Sequence, residues 1–152
     1  MQTMMFASIK KAIANYSRTS DLKLHNGHGT ALDEDLFSAK HVYTVGSDKQ
    51  LHAFCPATNK IDASHTFKHK LIDCAVYNMP GGEDKIDTLV VADDHKHLFL
   101  VQYHQDSRKF VIDFEHSFDD SIHSLCIHPI GTILFGLKKD KSWFVFDLSE
   151  VI

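Results

Sequence analysis

From residue 41 onward, apolar and polar positions alternate in short runs separated by polar turns. Residues 41–46 and 51–55 flank a turn at Asp48, a third run follows at 61–68, and 72–80 closes on Pro80 before a loop at 81–85. Alternation at period two, rich in Val, Tyr, Phe and Thr, is the signature of strands half-buried in a sheet. The order then recurs. Residues 88–92 and 97–103 flank Asp94, 105–109 is a loop, 110–118 is a further run, and 122–129 answers 72–80 down to its closing proline. Residues 133–137 and 143–148 flank Asp140. Pro80 and Pro129 fall at strand ends, where a missing N–H leaves the ladder intact.

Asp48, Asp94 and Asp140 are evenly spaced, 46 residues apart (94 − 48 and 140 − 94). At the same spacing Tyr43 answers to Leu89 and Phe135, Val45 to Val91 and Leu137, and Ala53 to Phe99 and Val145. A repeat of about 40 to 50 residues built from strands is the mark of propeller blades. The expected fold is therefore mainly β, with tandem four-stranded antiparallel blades of a partial β-propeller over 41–152. Each turn aspartate is expected to be structural, because a short acceptor bonds the N–H two residues on and fixes hairpin register.

Upstream of 41 the pattern changes. In residues 1–20, Phe6, Ile9, Ile13 and Tyr16 recur at spacings of three and four, which puts them on one side of a helix. Its stripe is expected to dock on the domain or on a partner. The stretch holds Lys10, Lys11 and Arg18 and no acid, so the competing reading is a mitochondrial transit segment. Residues 21–40 read as a loop with one short strand around Leu22 and Leu24, ahead of the break at Gly27 and Gly29. Asn26-Gly27-His28-Gly29 lacks the Lys-Ser/Thr that follows a phosphate loop.

Composition narrows the function. A chain of 152 residues suits one domain. A net charge of -4 offers no basic field for nucleic acid. Cys55, Cys74 and Cys126 form no C-x-x-C pair and read as small apolar fillers in a reducing, intracellular compartment. No apolar run is long enough for a membrane span, and no cofactor is expected. His95 and His97 can share a face of the hairpin turn at 93–97 and are the candidate metal ligands. Asp93-Asp94-His95-Lys96-His97 sets ligand types in a row, but Lys96 lies between the histidines, no third ligand stands at a defined spacing, and a solvated turn is the ordinary reading. Ser64-His65, His116-Ser117 and His123-Ser124 send their side chains to opposite faces of a strand and make no dyad. Trp143, Phe144 and Phe146 read as packing residues, with Trp143 also a candidate for a partner surface.

Gly46-Ser47-Asp48-Lys49-Gln50-Leu51-His52-Ala53-Phe54 resembles the G-S-D-K-T-I-R-V-W-D segment of WD-repeat propellers, and residues 140–147 resemble it again. Phe146-Asp147 stands where the name-giving Trp-Asp pair would be, and His128-Pro129-Ile130-Gly131 is similar to the S-P-D-G turn of such repeats. Phe54-Cys55 and Leu100-Val101 depart from the pair, and no Gly-His stands clearly before each first strand. The resemblance implies a divergent WD-like propeller of about three blades, and in complete repeats a buried Asp-His-Ser/Thr-Trp network. Propellers typically close with about four to eight blades. Three would need a protein partner or a second copy to complete the ring, so the expected function is a non-catalytic protein–protein interaction scaffold within a multiprotein complex. The alternative is a metal- or ligand-binding enzyme on a propeller or barrel scaffold with a histidine-lined site.

Overall fold

The computed structural model describes residues 24–34, 41–77, 85–128 and 132–150. The helix expected at 4–18, with Phe6, Ile9, Ile13 and Tyr16, and the piece around Leu22 lie outside the described residues. Within them, eleven strands form three antiparallel sheets. The first sheet takes β1 (Gly29–Glu34), β2 (Val42–Gly46), β3 (Gln50–Cys55) and β4 (Lys60–Thr66) in that order. The second takes β5 (Leu71–Tyr77), β6 (Ile86–Asp93), β7 (His97–His104) and β8 (Lys109–Ser117). The third has β9 (Ile122–Ile127), β10 (Ile133–Lys138) and β11 (Trp143–Asp147), followed by a short 3-10 turn at Leu148–Glu150.

Neighbours in sequence are neighbours in every sheet, so each sheet is a meander, and β1, β5 and β9 lie side by side as the inner strands. Thr30 on β1 donates to Leu71 O at 2.8 Å, Asp33 accepts from Val76 N at 2.8 Å, and Asp73 on β5 accepts from Leu125 N at 2.8 Å. Tandem meanders joined along their inner strands are blades of a partial β-propeller, the fold the repeat implies.

Among the described residues a strand ahead of His41 begins at Gly29 and follows the glycine break. Local composition disfavours a strand there, and long-range pairing overrides it. Every position of 31–34 has a partner on β2, and a register shift between Gly29 and Ala31 absorbs the glycine.

The repeat is also less even than 46. Lys49, Lys96 and Lys141 carry the left-handed φ of each β-hairpin turn, 68°, 72° and 71°, and lie 47 and 45 residues apart. The ladders agree: Tyr43 pairs with Ala53, Val90 with Leu100 and Phe135 with Val145. The counterpart of Tyr43 on the second blade is therefore Val90, not Leu89.

The core follows from this alternation. Tyr43, Val45, Leu51 and Ala53 of the first blade are sealed against Leu89, Val91, Phe99 and Val101 of the second. The opposite face of the second blade, Val90, Ala92, Leu98 and Leu100, is sealed against Ile122, Leu134 and Leu148, with Phe118, Phe144 and Phe146 around them.

Candidate functional site

The same backbone N–H is held at each hairpin corner. Gln50 N donates to Asp48 Oδ1 at 3.2 Å, His97 N to Asp93 Oδ1 at 2.9 Å, and Ser142 N to Asp140 Oδ1 at 2.8 Å. Asp48 and Asp140 thus stand at equivalent corners. On the second blade the role falls to Asp93, while Asp94 stands one place before the residue equivalent to Asp48 and bonds the His95 ring at the surface, 2.7 Å. The longer first interval, 47 rather than 46, displaces Asp94 from the corner position.

The first corner continues inward. His25 Nδ1 donates to Asp48 Oδ1 at 2.9 Å, so Nε2 accepts from the Thr44 hydroxyl at 3.0 Å. Asn26 N adds a bond to the other Asp48 oxygen at 3.0 Å. Burial alone would raise the Asp48 carboxyl, but the bonds from His25, Asn26 N and Gln50 N hold it below the usual range. His52 lies against His25 with ring centroids 4.7 Å apart and meets Ser64 Oγ at 2.6 Å. Burial, then the neighbouring His25, pushes the His52 imidazole down. A Cβ on Gly46 would meet the His25 ring and the Asp48 carboxylate, which accounts for glycine there.

This polar cluster is unique to the first blade among the described residues. Phe67 N bonds Lys49 O and Phe118 N bonds Lys96 O, both at 2.8 Å, and the strand pairings place His25, Phe67 and Phe118 at matching entries to their blades. Each stacks on its blade's β3-type strand, as Phe67 on Phe99 at 5.0 Å and Phe118 on Phe144 at 4.4 Å. The second and third blades replace an imidazole pair with a phenyl pair.

The third blade turns an apolar face outward. Phe135, Leu137, Trp143 and Val145 occupy the positions of Val90, Ala92, Leu98 and Leu100, a face that the next blade covers in the first two sheets. Trp143 is 70% exposed and Val145 57%. In the described residues β11 is also the free margin of its sheet, so unpaired strand backbone runs along the same patch.

The candidate metal ligands His95 and His97 acquire a third neighbour that the sequence conceals, since His69 comes from the β4–β5 connection. Its ring stacks on His95 at 3.6 Å and lies parallel to His97 at 5.9 Å. His97 Nδ1 is held by Asp93 at 2.8 Å. Burial and then His95 push the His69 imidazole down. Flat stacking directs the rings past one another rather than toward a common ion, although His69, Asp93 and His97 have donors within 4.8 Å.

No family model matches the sequence, and no curated protein sequence matches it. Solved structures do. A chain of "Crystal Structure of Mitotic Checkpoint Complex" superposes with a TM-score of 0.68 at 15% identity, over 88% of this chain and 39% of that one. A chain of the crystal structure of BBS1N in complex with ARL6DN, soaked with mercury, gives 0.67 at 15% identity, over 84% and 36%. This chain spans well under half the length of those it matches. At that identity the likeness establishes the fold, which is propeller-like. No helix of the described residues is long and apolar enough to cross a membrane.

Proposed function

We propose that this chain is a non-catalytic protein–protein interaction module, a WD-like propeller segment that works inside a larger assembly. The observation that carries the reading is the outward face of the third blade. Its counterparts on the first two blades lie under a neighbouring blade, so the surface that fits it is another β-blade with an alternating apolar face. A second copy, a protein partner or further chain can supply that blade, and the second copy is tested first. The Asp48–His25–Thr44 chain supports the WD reading, since it holds three of the four residue types that the resemblance implies; Phe54 stands where that pattern has its tryptophan. The solved neighbours are found in complexes, which agrees with a scaffold role.

The test uses the chain itself as the first partner. Light scattering across a concentration series is expected to give a mass above that of one chain, and Trp143→Glu is expected to restore the single-chain mass with an unchanged strand spectrum. A mass that rises equally in Trp143→Glu would move the interaction elsewhere. A mass of one chain throughout would rule out the second copy as the covering blade.

A further inference from the structure

We propose that His41, Cys55 and Asp62 form a metal site of the zinc class at the far end of the first blade, remote from the hairpin corners. Their donor atoms lie within 4.8 Å of one another. His41 immediately precedes β2, Cys55 ends β3, and Asp62 comes from β4. Ala53 pairs with Ala63 but Phe54 with Ile61, so Asp62 is the extra residue of a β-bulge, a device that re-aims a side chain. The second blade repeats the bulge at Asp113, between Phe114 and Ile112. There Thr88 and Gln102 stand in the places of His41 and Cys55, so the donor set is not a by-product of the fold.

An unsatisfied group points to an occupant. His41 is 2% exposed; Nε2 meets Asp62 Oδ2 at 2.8 Å, and Nδ1 is buried with no hydrogen-bond partner. The Tyr103 hydroxyl is likewise buried and unpartnered, and its ring stands edge-on to His41 at 5.1 Å. Leaving a buried imidazole nitrogen unpaired is unfavourable, and an ion or a water relieves it. Imidazole, thiolate and carboxylate are the donors zinc takes, at about 2.0–2.3 Å, with an open fourth position where only three protein ligands converge. The ring can meet the ion with either nitrogen. At Nε2 the ion shifts the ring proton to Nδ1 and takes Asp62 as a ligand; at Nδ1 it takes the unpartnered nitrogen and the Asp62 carboxylate stays on Nε2–H, outside the ligand set, and fixes the ring. In both arrangements Cys55 gives sulfur and releases its proton.

The inference is independent of the association surface and has its own test. The full chain, reduced and stripped of metal, is titrated with Co2+. The expected result is saturation at one ion per chain with thiolate-to-cobalt charge-transfer absorption, reversed by Zn2+. Cys126→Ser and His97→Gln keep that absorption, Cys55→Ser removes it, and Asp62→Asn weakens binding about 10–100-fold. If Cys55→Ser fails to fold, protection of Cys55 from alkylation by Zn2+ in the wild-type chain replaces it. Absence of saturable binding, leaving water as the occupant, overturns the proposal. So does binding without the sulfur absorption, or binding lost in His97→Gln.

Discussion

Phe135 on β10 holds the position that Val90 holds on β6, yet Val90 is 1% exposed beneath the third blade and Phe135 is 37% exposed. The two residues differ in what covers them. At Leu98, the buried counterpart of Trp143, truncation to alanine is expected to cost about 2–5 kcal/mol. Phe135→Ser is expected to stay within about 0.5 kcal/mol in the isolated chain, as a surface change does. Urea titration of both variants checks the contrast.

The first corner should weaken when its acceptor goes. Asp48→Ala strips partners from His25, Asn26 N and Gln50 N together, and a lost acceptor for a buried donor costs about 1–3 kcal/mol. Asp94→Ala, one place off the corner, is expected to do much less. If the two variants unfold at the same urea concentration, the corner assignment fails.

Acid should destabilise the fold in two stages. The His52 imidazole is depressed by burial and by His25. Its contribution is therefore complete above the unfolded value near 6.5 and is lost as pH falls through the lower folded value. The groups facing it are His25, Thr44, Ser64 and Asp48. His65, also pushed down by burial, adds to this stage. The Asp48 carboxyl is likewise depressed, so its share persists to about 3.9 and disappears below that. His52→Phe, which copies Phe99 and Phe144, is expected to shrink the first stage and leave the second. Stability measured from pH 8 to 3 decides it; a first stage unchanged in the variant would contradict the account.

Much of the fold was legible because alternation, turn chemistry and a recurring corner all state the same architecture. The first-blade network was not. His25 precedes Phe67 by 42 residues and Phe67 precedes Phe118 by 51 (67 − 25 and 118 − 67), since loops of unequal length separate the inner strands, and a single period of 46 averages over both. The change from imidazole to phenyl hides the equivalence further. Asp93 was likewise masked by its neighbour Asp94, and His69 by its distance from His95 in sequence. β1 was concealed by glycines whose cost its pairing with β2 offsets.

The cysteines should react in an order set by burial. Burial pushes the Cys74 thiol far above its usual value, so its thiolate is scarce. Cys126 is exposed. Limited alkylation followed by mass spectrometry is expected to label Cys126 first and leave Cys74 untouched until the chain unfolds.

Trp143 is the chain's single tryptophan and is 70% exposed on the outward face of the third blade, so its fluorescence reads that surface directly. Acrylamide quenching is followed as concentration rises, with mass recorded in parallel. Trp143 is expected to become shielded and its emission to move to the blue in step with the increase in mass. Quenching that stays undiminished while mass rises would sink the assignment of this face, and a single-chain mass with an open Trp143 at every concentration would rule out the second copy as the covering blade.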